Sequence, residues 1–314
     1  MKIAILDDYQ NIAMKIADWS SLSEKHDIDV FNDHLSEFEP LVQRLYPYDI
    51  ICVMRERTPF TAQLIERLPN LKMIASTGFA NASIDQHATQ ARGILVMNTG
   101  YESTPTIEAT LALIFAVARH IPQENASVRA GGWQVGLGSD LKDKTLGILG
   151  LGNIGSGVAK IGLALGMQVI AWSTHLTKEH AEQLGVTYVT REQLFRQADF
   201  LSVHLVLSER TMKFIGSTDL ALMKSTAYII NTSRGAIFDE PALIQVLKNR
   251  KIGGAALDTF ATEPLPLDHP FRQLSNVIAT PHIGFVTERL YRTFFEDTVS
   301  NIQKWLTENE KKVR

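Results

Sequence analysis

The sequence predicts an α/β protein built of two doubly wound, parallel-sheet domains. Three observations carry this. Short apolar runs alternate with helical patterns from end to end, the mark of β-α-β units. One of those runs leads straight into G-x-G-x-x-G, with its glycines at Gly150, Gly152 and Gly155. The 314 residues are enough for two cores of ordinary size.

Strands in the first third of the chain are expected near Lys2–Leu6, Ile28–Phe31, Ile50–Met54, Met73–Ser76 and Ile94–Asn98. Each is a run of apolar residues bounded by polar or turn-forming ones. Helices fall between them, for example Thr61–Arg67. A long apolar helix is expected over Thr104–Ile121, with Thr104 as its N-cap and Pro105 as its first helical residue. Its apolar stretch is too short and too closely flanked by polar residues to span a bilayer.

The second series begins at the glycine loop. A strand precedes it (Thr145–Leu149), a helix follows (Ile154–Leu165), and another strand comes next (Gln168–Trp172). In that context one glycine permits the tight turn, and another lets the backbone approach a pyrophosphate. The third lets the helix pack close to the sheet. The N–H groups and positive dipole end of the helix then face the phosphates, so a dinucleotide site is expected here. Further strands near Phe200–His204, Ala227–Asn231, Gly254–Asp258 and Val277–Ala279 bring the series to six, a complete Rossmann domain. The last helix, about Thr287–Leu306, is amphipathic, with Leu290, Phe294, Val299, Ile302 and Trp305 on its buried face.

Hydrophobic residues make up 45% and charged residues 21% of the chain, an ordinary globular mixture. A net charge of −3 argues against nucleic acid or an anionic membrane as partner. Cys52 is the only cysteine, so no intrachain disulfide forms, which suits a reducing compartment. The N-terminus enters a strand at once, no signal or transit peptide is expected, and a cytoplasmic location follows. The histidines lack metal-ligand spacing with Cys, Asp or Glu, so no metal is expected.

Three strand ends after the glycine loop carry a charged or titratable side chain. They are Asn231-Thr232-Ser233-Arg234-Gly235, Asp258-Thr259-Phe260-Ala261-Thr262-Glu263-Pro264 and Thr280-Pro281-His282-Ile283-Gly284. Ligands of parallel sheets bind outside the carboxyl ends of the strands, so Arg234, Glu263 and His282 are candidates to share one crevice. A nicotinamide beside them supplies or accepts hydride. Histidine is the natural proton donor near neutral pH, and a neighbouring carboxylate favours its charged form. Arginine holds a substrate carboxylate through paired hydrogen bonds. The set describes reduction of a 2-oxo acid, or oxidation of a 2-hydroxy acid.

With these motifs in place, the chain resembles the D-isomer-specific 2-hydroxyacid dehydrogenases over nearly its whole length. The resemblance rests on Gly-Leu-Gly-Asn-Ile-Gly, Asn-Thr-Ser-Arg-Gly, Ala-Leu-Asp followed by Glu263-Pro264, and Thr-Pro-His-Ile-Gly. It implies that Arg234 binds the substrate carboxylate and carbonyl, that His282 is the acid/base, and that Glu263 is its partner. Asp258 matches a position on the nicotinamide side of the cofactor. Asn153 and Ile154 match the pyrophosphate-binding turn, and Thr232 and Ser233 line the cofactor. The resemblance also implies a discontinuous, flavodoxin-like substrate domain (1–101 with 288–314), a dinucleotide domain (102–287) and a homodimer. The substrate implied is a small 2-oxo or 2-hydroxy acid of the glyoxylate, hydroxypyruvate or phosphoglycerate type. A second function carried by the same family is an NAD(H)-sensing corepressor. The long disordered extensions expected of that role are absent from this sequence.

The chain departs from the family pattern in three places. Ser173 stands where an NAD enzyme carries the acid that binds the ribose hydroxyls, and Thr174 and His175 follow. Lys178 is the nearest fixed cation, so the cofactor is NAD or NADP with relaxed choice. In Gly78-Phe79-Ala80, whose backbone N–H groups match a carboxylate-binding loop, alanine replaces the second glycine. Phe79 either walls the substrate or packs in the cleft between domains. Arg55 matches a substrate-facing position. With Arg57 it forms either a site for a second anionic group or, through Glu56, a surface ion pair. His204 reads as structural.

Overall fold

The computed structural model describes residues 1–313. The chain divides into two compact units, Met1–Glu102 with Val286–Arg314, and Ser103–Phe285.

The first unit holds five parallel strands: β1 (Lys2–Ile5), β2 (Asp27–Val30), β3 (Ile50–Val53), β4 (Met73–Ser76) and β5 (Leu95–Asn98). Their order is β2-β1-β3-β4-β5, the flavodoxin-like arrangement, with its reversal between β1 and β3. β3 and β4 are buried along their whole length, so they read as continuous rather than alternating apolar runs. Ala4, Ile51, Val53 and Ile74 pack against Leu41, Leu45 and Leu64 from the flanking helices and against Leu68 just past one of them. Helix Glu288–Val313 belongs to this unit, and Leu290, Phe294, Val299, Ile302 and Trp305 are all buried.

The second unit holds β6 (Thr145–Leu149), β7 (Gln168–Trp172), β8 (Thr187–Tyr188), β9 (Phe200–Val203), β10 (Tyr228–Asn231), β11 (Gly254–Leu257) and β12 (Val277–Ala279). They form one parallel sheet in the order β12-β11-β10-β9-β6-β7-β8. The expected six strands become seven, because β8 pairs with β7 through Ile170↔Thr187 and Ala171↔Tyr188. Two residues at a sheet edge have no periodicity to read. Both faces are buried. Leu149, Leu201, Ile229 and Ala255 face one hydrophobic cluster, and Ile148, Phe200, Ile230 and Ala256 the other.

Register matters most for function. Trp172, Leu149, Val203, Asn231, Leu257 and Ala279 are successive Cα partners across six strands. All six are the last residues of their strands. The loops that follow therefore leave the sheet along one edge.

The long apolar helix is shorter than expected. It spans Thr104–Ala118 with Ser103, not Thr104, at the N-cap position, and no side chain caps it. His120 adopts φ 52°, and a second helix, Ile121–Arg129, begins beyond it. Pro122 accounts for the break: it has no N–H to give the Ala118 carbonyl and its ring would clash there, whereas it fits the first turn of a new helix. Among the described residues, no helix is long and apolar enough to cross a membrane.

Candidate active site

Asn231 ends β10 and organises the loop that carries Arg234. Its Oδ1 accepts the Ser233 N–H at 3.0 Å, and its Nδ2 donates to the Arg234 carbonyl at 3.1 Å. Gly235 follows. A Cβ there would lie 2.0 Å from the Phe260 carbonyl carbon, so only glycine lets this loop rest on the Phe260–Ala261 backbone. That backbone leads to Glu263.

The Glu263 carboxylate is held at both oxygens. Oε1 accepts the Phe260 N–H at 2.8 Å, and Oε2 meets His282 Nδ1 at 2.6 Å. Burial works to raise the Glu263 pKa, but the hydrogen bond and charge of His282, the Phe260 N–H and the charge of Arg234 outweigh it. The carboxyl is held below its ordinary range. With Glu263 ionised, Nδ1 of His282 carries the proton of the shared bond. The structure thus brings Arg234, Glu263 and His282 together at the carboxyl edge of one sheet.

His282 itself has φ 52°, a left-handed conformation uncommon outside glycine. Asp258 holds it there. Oδ1 accepts the Thr280 hydroxyl at 2.6 Å and the Ile283 N–H at 2.9 Å, and Oδ2 accepts the Gly284 N–H at 2.8 Å. Burial raises the Asp258 pKa against these bonds. The resemblance places Asp258 beside the nicotinamide; the fold gives its two oxygens to the turn bearing His282. Phe285 packs its ring edge-on to the imidazole, with centroids 5.5 Å apart. Thr280 and Phe285 were not singled out from sequence, although Thr280 sits inside the Thr-Pro-His-Ile-Gly motif.

The glycine loop fits a dinucleotide. Gly150 has φ 102° and presses on the His204 carbonyl, where a Cβ would sit 2.8 Å away. A Cβ on Gly155 would fall 2.1 Å from the Gly150 oxygen, so helix and loop touch only because it is absent. Asn153 and Ile154 open helix Asn153–Ala164, whose N-cap Gly152 offers no side chain to its first N–H groups. Around Gly152 a Cβ would meet no described atom within 4 Å, which leaves room for a phosphate against those donors. Ser173 lies half-buried just past β7. The Thr232 hydroxyl pairs with that of Thr110 at 2.7 Å, tying β10 to helix Thr104–Ala118. Ser233 donates its hydroxyl to the Leu205 carbonyl. His204 is half-buried, its Nε2 2.8 Å from the Ser202 hydroxyl, and desolvation pushes its pKa down to about 3, which keeps it neutral. Among the described residues, no group of three or more His, Cys, Asp or Glu could hold a metal.

The other unit carries the remaining candidates at the ends of β3 and β4. Arg55 has φ 52°; its N–H donates to Thr77 Oγ1 at 2.9 Å, and its carbonyl accepts Asn81 Nδ2 at 2.7 Å. The guanidinium lies on Gly78, its Nη1 1.7 Å from where a Cβ would be. Gly78 has φ 87°, and its N–H donates to Thr99 Oγ1 at 2.7 Å. Phe79 and Ala80 are exposed beside it. The two arginines have different neighbours. Arg57 donates to the Asp7 carbonyl at 2.8 Å and lies over the Tyr9 ring, whereas Arg55 lies over Tyr101. A two-arginine clamp on one anion is not formed.

The model for the D-isomer specific 2-hydroxyacid dehydrogenase NAD binding domain matches residues 111–284. A D-3-phosphoglycerate dehydrogenase of Synechocystis sp. is 38% identical over 305 residues, covering 96% of this chain and 53% of that protein. The chain thus spans about half the length of that relative. A hydroxypyruvate reductase of Thermotoga maritima is 38% identical over 291 residues, covering 91% of this chain and 93% of the relative. The crystal structure of a phosphoglycerate oxidoreductase from Vibrio cholerae superposes with a TM-score of 0.93 at 36% identity, covering 98% of this chain and 99% of that one.

Proposed function

The chain belongs to the D-isomer specific 2-hydroxyacid dehydrogenase family, and from that membership we propose that it interconverts a small 2-oxo acid and its D-2-hydroxy acid. Arg234 grips the substrate carboxylate and polarises the carbonyl. His282 delivers a proton from Nε2 to the carbonyl oxygen during reduction and takes it back during oxidation. Glu263 fixes the tautomer and stabilises the imidazolium through the 2.6 Å contact with Nδ1. A nicotinamide dinucleotide, NAD or NADP, supplies or accepts the hydride when bound. Gly150, Gly152, Asn153, Ile154 and Gly155 would hold its pyrophosphate, and Thr232, Ser233 and Ser173 are the further residues that would contact it. In this reading the unit Ser103–Phe285 is the dinucleotide-binding domain. The unit containing Arg55 and the Gly78-Phe79-Ala80 loop is the substrate-binding domain.

One observation carries the reading. The imidazole, carboxylate and guanidinium gather at the same sheet edge as the glycine loop. The working form is a homodimer. Segment 130–138 supports this, presenting Trp133 (74% exposed) and Leu137 (95% exposed) as an apolar surface. The single thiol, Cys52, is buried and suits the reducing cytoplasm.

The test is oxidation of NADH and NADPH by the purified protein with a panel of 2-oxo acids. His282→Ala is expected to lower turnover roughly 10²- to 10⁴-fold while leaving dinucleotide affinity near that of the parent. Turnover near the parent value would reject the assignment. Dinucleotide binding without turnover of any 2-oxo acid would favour a cofactor-sensing role.

A further inference from the structure

We propose that Glu240 and His269 are positioning residues for the interconversion: together they fasten the segment between β11 and Glu263, and so fix the carboxylate that meets His282. This rests on the 2-oxo acid reading above and adds two residues to its machinery.

Glu240 is the first residue of helix Glu240–Lys248, which follows the loop that carries Arg234. Its carboxylate joins two neighbours. Oε1 meets His269 Nε2 at 3.2 Å, and Oε2 accepts the Ala261 N–H at 3.4 Å. His269 Nδ1 in turn accepts the Phe271 N–H at 3.3 Å, capping the short helix Pro270–Arg272. A ring nitrogen that accepts a hydrogen bond holds no proton, so the proton sits on Nε2 and is donated to Glu240. The His269 side chain is 13% exposed and that of Glu240 22%, so water competes weakly for this charge-assisted bond.

The segment they hold is not packed solidly from behind. A cavity of about 10 Å³, the size of one water, lies against it and is lined by Gly235, Glu240, Thr259 and Phe271 among others. Thr259 Oγ1 is buried with no hydrogen-bond partner among the described residues, and the Phe260 N–H is taken by Glu263 itself. Close packing therefore does not by itself set where this segment sits. Two routes run from the pair to Glu263. One is polar: Glu240 holds the Ala261 N–H, next in the chain to the Phe260 N–H that grips Oε1 of Glu263. The other is aromatic: the ring of Phe271 lies 4.8 Å from that of His269 and 6.2 Å from that of Phe260. Gly235 presses on the same Phe260–Ala261 backbone, so a shift there disturbs the Arg234 loop as well as the 2.6 Å contact of Glu263 with His282. A misplacement of about 1 Å far from the reacting atoms can cost about a hundred-fold in rate. The effect of Glu240 and His269 runs through Glu263, which makes them positioning and not catalytic residues.

The experiment is a double-mutant cycle on the purified protein, with its best 2-oxo acid and preferred cofactor. Glu240→Ala is expected to lower kcat about ten-fold in the parent background, with KM for the dinucleotide near the parent value. In Glu263→Gln, where the carboxylate is already gone, the same change is expected to cost less than about two-fold, because both residues act on one contact. His269→Phe keeps a ring against Phe271 but loses the donor to Glu240, and is expected to show the same pattern with a smaller loss. A thermal melt of each variant checks the fold. Should Glu240→Ala fail to fold, Glu240→Gln, which keeps one acceptor oxygen, takes its place in the cycle. An equal fold-loss in the parent and Glu263→Gln backgrounds, or no loss in the parent, overturns the inference and leaves the reductase reading standing. A parent that reduces no 2-oxo acid removes the reductase reading first, and this inference with it.

Discussion

Asp258 accepts the backbone N–H of Gly284 at 2.8 Å, and this bond ties the end of β11 to the turn that presents His282. The same carboxylate holds Ile283 and Thr280, so three donors converge on one anion. In Asp258→Asn the geometry survives, but the amide NH₂ must face a donor at one of these positions. A buried donor left unsatisfied costs about 1–3 kcal/mol. The melting temperature should fall by several degrees, at roughly 2–4 °C per kcal/mol for a domain of this size. kcat should fall with it, while dinucleotide affinity changes little. Unchanged kcat would show that the clamp does not position the imidazole.

The sign of the pH dependence follows from the two carboxyls. Glu263 is held below its unfolded value of 4.5. Its contribution to stability is therefore fully present above that pH and lost as pH falls through the depressed folded value. Asp258 runs the other way. Its folded pKa is raised above 3.8, so its contribution is present below that pH and lost as pH rises through the folded value. Glu263→Gln should make stability less sensitive to acid below about pH 4.5, read from denaturant midpoints across pH. The same variant removes the carboxylate that meets His282 Nδ1 at 2.6 Å and fixes the ring. kcat/KM at neutrality should then fall by at least about ten-fold. An unchanged kcat/KM would mean that the contact does not serve turnover.

How much of this was legible in sequence depends on whether a feature is local. The glycine loop and the three strand-end motifs carry their meaning in residue type and spacing, so the strand–turn–helix at Gly150–Gly155 and the gathering of Arg234, Glu263 and His282 at one sheet edge could be read directly. The strand ends could be read too, within a residue. β8 could not, since Thr187-Tyr188 pairs only along the sheet edge. The break at His120 has a local signal in Pro122, which ends one helix and opens the next. What remained hidden were contacts between residues distant in the chain. Thr99 claims the Gly78 N–H, Asp258 clamps the 280–284 turn, and Arg55 and Arg57 part company although two positions apart.

The segment after helix Ile121–Arg129 has a shape worth testing. Glu124 accepts the N–H of Val135 at 3.2 Å and that of Gly136 at 2.9 Å, and Ser127 donates to the Trp133 carbonyl at 2.7 Å. These bonds fix a loop whose outward side chains are Trp133, Val135 and Leu137, all exposed. A fixed, exposed apolar surface marks an association site. Leu137→Asp places a charge at its most exposed point and should convert a dimer to a monomer in sedimentation velocity. A parent protein that sediments as a monomer would refute the homodimer.

Cofactor choice turns on Ser173. An acid at the end of β7 would bind the ribose hydroxyls of NAD and repel a 2′-phosphate. Ser173 exerts no such repulsion, and its neighbours Thr174 and His175 are exposed and able to donate hydrogen bonds. Lys178 does not tip the balance toward phosphate, since it lies at the surface and pairs with Glu182 at 3.6 Å. The parent should therefore use NADH and NADPH with comparable kcat/KM. Ser173→Asp restores the missing charge. Juxtaposed like charges cost several kcal/mol, so efficiency with NADPH should fall by at least about ten-fold while efficiency with NADH holds or rises. Affinity for the two reduced dinucleotides, followed by quenching of protein fluorescence, separates binding from turnover. A parent that already rejects NADPH would show that backbone groups around Ser173, and not the missing acid, decide the cofactor.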